Sequence, residues 1–187
     1  MATFFVVSDV HSFYDEMILA LNTAGFDIDN DSHIFVSLGD LLDRGTQPEE
    51  CLKFVNRLPK NRKILIKGNH EYLMEQAIKD KVFRSYDYHN GTIYTAQILS
   101  GCNWKTDSNT ILTKVEYNQL WNDYINSCID YYENDKYVFV HGWIPCVKYT
   151  EGVNLFGDEI NSYEPLPDWH IGNWERAGWY NGMDCWN

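Results

Sequence analysis

The first seventy residues contain three short apolar runs, each followed by polar residues and, in turn, by a helix-like pattern. The runs cover residues 4–7, 33–38 and 63–66, and the spacing of apolar residues predicts helices over 13–21 and 48–58. Parallel strands need a long connection, usually a helix, so this alternation predicts a parallel sheet. Such sheets carry their ligand sites at the carboxyl ends of the strands. The sequence therefore predicts an α/β fold whose polar strand ends share one edge.

The pattern loosens after residue 71. We predict a helix there, a Tyr-rich stretch, a short helix near 92–99, a further helix over 115–132 and a fourth core strand over 137–140. Beyond residue 143 several prolines and four tryptophans (169, 174, 179 and 186) predict irregular chain that covers the core, or alternatively a substrate wall. We expect one domain over 1–187, in which 80–135 forms a helical insertion or cap and 143–187 an irregular, Trp-rich tail.

Charge and composition exclude several classes of protein. The net charge is −12, and the sequence shows no basic face of the kind on which nucleic-acid binding depends. We therefore expect no nucleic-acid partner. Lys and Arg are absent before Arg44, and the first apolar run is too short to span a bilayer, so we expect no membrane association and a cytoplasmic location. Five scattered cysteines (51, 102, 128, 146 and 185) without a Cys-x-x-Cys pair indicate reduced thiols.

Side chains able to bind metals stand where the predicted strands end: Asp9, His11, Asp40, Asn69, His70 and His141. In extended chain, residues i and i+2 point the same way, so Asp9 and His11 can reach a single ion. Carboxylate, amide and imidazole ligands together favour Mn, Fe or Zn over Ca. Two such ions roughly 3.5–4 Å apart would hold the attacking and leaving oxygens of a phosphoryl displacement.

The residues beside these ligands suit the same chemistry. Gly39 and Gly68 leave room for a close approach of backbone and metal. Arg44 carries a planar fork that pairs with phosphate oxygens. His70 can protonate a leaving oxygen, and Asp43 can orient it. Each motif alone also has a structural interpretation, as a capped turn or a helix start, but their common order after apolar strands favours a metal site.

Four segments resemble the signature of calcineurin-like metallophosphoesterases: Ser-Asp-Val-His (8–11), Gly-Asp-Leu-Leu-Asp-Arg-Gly (39–45), Gly-Asn-His-Glu (68–71) and Val-His-Gly (140–142). The resemblance points to the branch with phosphoprotein phosphatases, bacteriophage protein phosphatases and symmetrical diadenosine tetraphosphate hydrolases. It implies an α/β fold of the α+β sandwich type, with a β-sheet core flanked by helices.

The resemblance also implies a role for each matching residue. Asp9 and His11 would bind a first metal, Asp40 would bridge, and Asn69 and His141 would bind a second metal. Arg44 and Asn69 would contact the substrate phosphate, and His70 with Asp43 would form an acid dyad. A weaker likeness around 174–176 adds Arg176 as a second phosphate-contacting arginine.

Two features depart from the family pattern. Ser12 replaces the usual glycine, and a Gly-His-x-His segment does not occur in the 187 residues. We therefore expect a second sheet that is incomplete at the C-terminus, a metal stoichiometry nearer one than two, and self-association through an exposed strand edge. His170 is the one downstream histidine that could substitute as a ligand, but its setting indicates a packing role, as do those of His33 and His89.

The leading hypothesis is a dinuclear-metal-dependent phosphoesterase that hydrolyses phosphate monoesters, similar to serine/threonine protein phosphatases and using a metal-bound hydroxide. Its cofactors would be two divalent ions, Mn first, with Fe or Zn as alternatives. Its substrate would be a phosphorylated protein or a small phosphate ester. The alternatives are a symmetrical dinucleoside tetraphosphate hydrolase and a truncated module with weak or no activity.

Overall fold

The computed structural model describes residues 2–180 and residue 182. Its α-helices are α1 (Tyr14–Thr23), α2 (Pro48–Arg57), α3 (Asn69–Asp80), α4 (Ser85–Asn90), α5 (Thr92–Ser100), α6 (Ser108–Glu116), α7 (Gln119–Ile125) and α8 (Trp174–Ala177). Its strands are β1 (Thr3–Val7), β2 (His33–Ser37), β3 (Lys63–Ile66), β4 (Cys128–Ile129), β5 (Tyr131–Glu133), β6 (Val138–Val140), β7 (Cys146–Val153) and β8 (Glu159–Pro165). The fold is α/β, as predicted.

The central sheet has four parallel strands in the order β1-β2-β3-β4. Crossovers between parallel strands are right-handed, so a sequential order directs the connecting helices to one face. The large core lies on that face: Met17, Leu52, Met74 and Tyr124 from four different helices pack into one cluster. The ends of β1, β2 and β3 therefore meet at one edge, and the first turns of the connections lie beside each other there.

The opposite face of the sheet has a smaller core. Val36, Ile64 and Ile66 are buried against Phe139 and other partly buried residues, and the antiparallel pair β5-β6 lies over them. The self-association expected from an incomplete second sheet stays a prediction. No helix within residues 2–180 is both long and apolar enough to cross a membrane.

The prediction of a helix over 115–132 was wrong. Helix α6 ends at Glu116, and the Asn118 side chain caps a new helix, α7, by accepting a hydrogen bond from the backbone N–H of Trp121 at 3.1 Å. The chain then forms β4 and β5. Apolar spacing continues across these breaks, so the periodicity alone suggests one long helix.

The fourth core strand is not the one predicted at 137–140. Strand β6 covers Val138–Val140 and pairs antiparallel with β5, whereas β4 completes the parallel sheet by pairing with β3. Because β4 has only two residues, it leaves no detectable pattern in the sequence.

The tail expected to be irregular over 143–187 contains the antiparallel hairpin β7-β8. Most residues of both strands are exposed, so the strands lack the buried, alternating apolar positions that identify a strand in sequence. Trp174 is buried and stacks on Tyr131 at 4.9 Å, in agreement with a covering role, whereas Trp179 is about half exposed. Cys185 and Trp186 lie outside the described residues.

Candidate metal centre

The loops after β1 and β2 have an unusual backbone. Six non-glycine residues there have φ between 50° and 73°: Asp9, His11, Ser12, Asp40, Asp43 and Arg44. Among the described residues only Lys81, at the end of α3, adds to this set. Left-handed backbone is unfavourable for residues with a Cβ atom and persists only where surrounding contacts impose it. Such strain concentrated in two neighbouring loops is typical of functional sites.

Contacts between the loops impose this conformation. The N–H of His11 donates to the carbonyl of Asp40 at 3.0 Å, and the N–H of Gly45 donates to the carbonyl of His11 at 2.8 Å. Gly39 is also required, since a Cβ atom there would lie 2.7 Å from the backbone of Gly68. The loops after β1, β2 and β3 thus pack backbone against backbone, which brings their side chains to a common centre.

The carboxylate of Glu71 connects the loops after β2 and β3 through hydrogen bonds. It is 1% exposed and accepts hydrogen bonds from the N–H groups of Asp40 (2.9 Å), Leu41 (3.1 Å) and Gly68 (2.8 Å), and from the hydroxyl of Tyr124 (2.9 Å). Burial and the nearby Asp40 carboxylate raise the pKa of Glu71, whereas the hydrogen bonds from Gly68, Asp40 and Tyr124 act to lower it. Glu71 therefore fixes the loop that carries Asp40.

Two groups of side chains that could bind a metal ion share Asp40. We call His11, Asp40 and His70 the inner cluster, and Asp9, Asp40 and His141 the outer cluster; within each, the possible ligand atoms lie within 4.8 Å of one another. Asp40 Oδ2 lies 3.9 Å from His11 Nε2 and 3.8 Å from His70 Nε2, whereas Asp40 Oδ1 lies 3.5 Å from His141 Nε2. Each oxygen of this carboxylate thus faces a different cluster.

Hydrogen bonds to the backbone orient two of the histidines. Nδ1 of His11 lies 3.0 Å from the carbonyl of Leu42, and Nδ1 of His141 lies 2.8 Å from the carbonyl of Leu38. A carbonyl can only accept, so in each ring Nδ1 carries the proton, which in His11 leaves the Nε2 lone pair for the cluster. His11 Nε2 is buried and has no hydrogen-bond partner among the described residues. Burying a polar atom without a partner costs free energy unless a ligand supplies the missing interaction.

His70 has different surroundings. Its Nδ1 lies 2.8 Å from Asp43 Oδ2, which also accepts a hydrogen bond from the hydroxyl of Thr92 at 2.7 Å. Its Nε2 lies 3.3 Å from Nη2 of Arg44, whose side chain is exposed. A guanidinium nitrogen can only donate, so Nε2 of His70 accepts this hydrogen bond, and its lone pair is engaged despite its place in the inner cluster.

The electrostatics separate the two buried histidines further. Burial, together with the nearby His70 and Arg44, lowers the pKa of His11 and favours the neutral ring that a metal ligand requires. Burial also lowers the pKa of His70, but the hydrogen bond to Asp43 and the charge of Asp40 outweigh it, so the pKa is raised. His11 is therefore suited to ligation and His70 to holding a proton.

An open cavity of about 370 Å³ lies over the outer cluster. Asp9, Asn69 and His141 line one side, and Trp179 and Tyr180 from the tail line another. The Asn69 amide oxygen lies 2.8 Å from His141 Nε2. A substrate can therefore reach the outer cluster from solvent.

The structure thus brings together most of the predicted site residues, including Asp9, His11, Asp40, Asn69 and His141. Arg176 is an exception: it is exposed, stacks on Tyr180 with 5.5 Å between the guanidinium carbon and the ring centroid, and is not among the described residues that line the cavity. The remaining histidines join neither cluster, as shown by the contacts of His33 with Asn30 (3.1 Å) and of His170 with Glu133 (3.1 Å), and by the exposure of His89.

Several contributing residues were missed in the sequence. Glu71 was noted only as part of a motif and a helix start, although its position three residues after Gly68 signals a cap for α3. Its bonds to the loop after β2 join residues about thirty positions apart, which local patterns do not reveal. Thr92 and Tyr124 had no signal of their own, because each acts only through tertiary contacts, whereas Trp179 was among the tryptophans considered as a substrate wall and does line the open cavity.

The chain belongs to the calcineurin-like phosphoesterase family, whose model matches residues 2–186. This family assignment agrees with the resemblance found in the four motifs and with a site at the strand ends.

Three curated relatives carry related names. A "Bis(5'-nucleosyl)-tetraphosphatase, symmetrical" from Pasteurella multocida is 38% identical over 88 residues, 46% of this chain and 30% of that protein. A protein of the same name from Actinobacillus pleuropneumoniae serotype 3 is 41% identical over 71 residues, 38% of this chain and 25% of that protein. "Bis(5'-nucleosyl)-tetraphosphatase PrpE [asymmetrical]" from Bacillus subtilis is 27% identical over 190 residues, 95% of this chain and 74% of that protein. The first two relatives are thus matched over less than a third of their length.

A solved metallophosphoesterase from Sphaerobacter thermophilus is 20% identical to this chain, with a TM-score of 0.42. The superposition covers 75% of this chain and 46% of that protein.

Proposed function

We propose that this chain is a metal-dependent phosphoesterase that hydrolyses phosphate esters or anhydrides at the two clusters around Asp40. The observation that carries the proposal is the position of this carboxylate, whose two oxygens face the Nε2 atoms of His11 and His141. A carboxylate between two imidazoles can bridge a pair of divalent ions.

The side chains present fit metal ions. His11 Nε2 is buried without a partner, the donor set mixes nitrogen and oxygen, and glycine at positions 39 and 68 keeps the approach open. Asp9, His11 and Asp40 would hold one ion, and Asp40, Asn69 and His141 a second. Bound Mn, Fe or Zn would supply Lewis-acid stabilisation of phosphoryl oxygens.

Arg44 and His70 would act on the substrate. The exposed guanidinium of Arg44 would pair with phosphate oxygens and orient the group for displacement. Once Arg44 pairs with the phosphate, Nε2 of His70 would be free to carry a proton and to transfer it to the leaving oxygen, while Asp43 keeps Nδ1–H engaged. Despite burial, the hydrogen bond to Asp43 and the charge of Asp40 raise the pKa of His70, which favours the protonated ring.

The names of the relatives favour dinucleoside polyphosphates as the substrate class. Both the symmetrical and the asymmetrical bis(5'-nucleosyl)-tetraphosphatases share segments with this chain, so the bond that would be cut is open. Phosphoserine and phosphothreonine in proteins form the second candidate class, favoured by the open cavity over the outer cluster, which a protein surface could approach.

Turnover of diadenosine tetraphosphate and of a phosphopeptide, measured side by side with added Mn²⁺, would distinguish these classes. Chromatography of the nucleotide products then identifies the bond: two ADP molecules for symmetrical cleavage, ATP with AMP for asymmetrical cleavage. We expect chelator to abolish hydrolysis of p-nitrophenyl phosphate and added Mn²⁺ to restore it. Undiminished hydrolysis after exhaustive chelation would refute metal dependence.

A further inference from the structure

A second cavity lies beside the metal centre, and none of the roles described above involves it. It has a volume of about 420 Å³ and is lined by α3, the α4 region and the tail, with Tyr72, Gln76, Tyr86, Asn90, Glu175 and Trp179 among its walls. We call it the side cavity. A volume of this size is within the range of small-molecule sites.

Three features of the structure connect the side cavity with the metal centre. Trp179 lines both the side cavity and the open cavity over the outer cluster. Helix α3 begins at Asn69 and reaches Gln76 after seven residues, roughly 10 Å along the helix axis. Asn90 directly precedes Gly91, where a Cβ atom would lie 2.5 Å from the backbone nitrogen of Arg44. A group covalently attached to a phosphate at the metal centre can therefore reach the side cavity.

The walls of the side cavity favour a neutral, flat group over an anion. Three aromatic side chains contribute to them, and the amide of Asn90 makes no hydrogen bond within the described residues, so it can offer both a donor and an acceptor. The charge of Arg84 is already paired with Asp80 at 2.5 Å, and Glu175 adds a negative charge. A phosphate would be repelled here, whereas a nucleobase has π faces and a hydrogen-bonding edge.

We propose that the side cavity binds one nucleobase of the substrate, with its ring against Tyr86 and Trp179 and its edge towards Asn90, while the attached phosphates reach the metal centre. This inference rests on the proposed phosphoesterase function and narrows its substrate class to nucleotides. A base held in this way would position the phosphate chain relative to Arg44 and would select against phosphate esters that lack a base.

The first test is adenosine binding to the metal-free protein by ligand-observed NMR titration, which requires neither metal nor turnover. We expect adenosine to bind, and Tyr86→Ala or Trp179→Ala to weaken the affinity about tenfold or more, because stacking on an aromatic ring contributes substantially per base. Asn90→Ala should weaken it several-fold. Tyr88→Ala is the matched control, since Tyr88 lies on the same helix and is exposed but does not line the cavity.

The second test compares kcat/KM of the same variants on diadenosine tetraphosphate and on phosphoserine, which has no ring. We expect Tyr86→Ala to lower the first about tenfold and to leave the second within about twofold. A parallel loss on both substrates, or adenosine binding that ignores both aromatic substitutions, would overturn the inference. So would a loss on phosphopeptides without any effect on adenosine binding, since the cavity would then take a peptide.

The two tests separate the failure of this inference from failure of the proposed function. If the wild-type protein hydrolyses no phosphate compound with any divalent metal, the proposed function is wrong, and the adenosine titration still decides whether the cavity holds a base. If metal-dependent hydrolysis occurs but adenosine does not bind, the inference alone is wrong. Thermal unfolding of each variant shows whether it is folded.

Discussion

The inner and outer clusters share Asp40 but differ in how firmly the protein holds them. In the inner cluster the side chains of His11 and His70 are 7% and 1% exposed, and both rings are fixed through Nδ1. In the outer cluster the ring of His141 is fixed in the same way and its side chain is 9% exposed, but the side chain of Asp9 is 56% exposed and lines the open cavity. The inner side is therefore preorganised by burial, whereas the outer side is accessible to substrate. The difference suggests that positioning and proton transfer belong to the inner side, and substrate entry to the outer side.

Asp40→Asn should affect both clusters, because it removes the carboxylate that they share. Loss of a metal-based stabilisation of several kcal/mol corresponds to a fall in kcat of about 10³-fold or more, measured with p-nitrophenyl phosphate and Mn²⁺. Without metal the variant should stay folded, because an amide oxygen can still accept the hydrogen bond that the backbone N–H of His70 donates to Asp40. The stabilisation that Mn²⁺ gives in thermal unfolding should disappear.

Asp29→Asn is the matched control for this substitution, since Asp29 is exposed and remote from the clusters. It should leave both the rate and the metal-induced stabilisation unchanged. If Asp40→Asn retained wild-type activity, the bridging role of Asp40 would be wrong.

His70→Gln should affect the inner cluster alone, because it removes the proposed general acid and leaves the proposed metal ligands in place. A lost general acid lowers the rate by roughly 10²-fold or more, and the loss is greatest when the leaving oxygen is basic. We expect a larger fall with phosphoserine, whose leaving group is an alkoxide, than with diadenosine tetraphosphate, whose leaving group is a phosphate. Metal affinity, measured by calorimetric titration, should change little because His70 is not a ligand in this scheme. A collapse of metal affinity would instead identify His70 as a ligand.

Glu71→Gln tests whether the hydrogen bonds that Glu71 accepts hold the loop with Asp40 in place. Each carboxylate oxygen accepts at least one backbone N–H, so an amide in either orientation places its NH₂ group against a donor. We expect a loss of about 3 kcal/mol in the free energy of unfolding, measured by urea denaturation. Glu75→Gln on the same helix is the control, because Glu75 is partly exposed and paired with Lys67, and its loss should be within about 1 kcal/mol. Equal effects of the two substitutions would argue against this role of Glu71.

Prediction from sequence was most successful where structure is local. The predicted strand at 63–66 matches β3, and helices α1 and α2 begin within one residue of their predicted starts, because apolar spacing and Pro48 are local signals. Most of the expected metal ligands also meet, since strand ends of a parallel sheet share an edge. The cap formed by Asn118 and the two-residue strand β4 escaped prediction, since neither disturbs the apolar pattern.

The supports of the site were harder to predict than its ligands. Glu71 reaches Asp40 and Leu41 across the sheet, and Thr92 reaches Asp43 from a helix 49 residues away. A ligand is recognisable from its residue type beside a strand, but a supporting residue is defined by what it touches in three dimensions. The side chains that hold the inner cluster in place therefore emerged only from the structure.

Thr92→Val should have the smallest effect of these substitutions, and it tests the hydrogen bond that Thr92 donates to Asp43. It removes the hydroxyl that donates to Asp43 but leaves the bond between Asp43 and His70, so we expect a loss of about 1.5 kcal/mol in stability by urea denaturation and a several-fold lower kcat. Thr95→Val is the matched control: both threonines are buried on α5, but the Thr95 hydroxyl has no hydrogen-bond partner among the described residues. Removing an unpaired buried hydroxyl should be neutral or stabilising. If the two substitutions behaved alike, the Thr92 hydroxyl would contribute nothing to holding Asp43, and the difference between the clusters would come from burial alone.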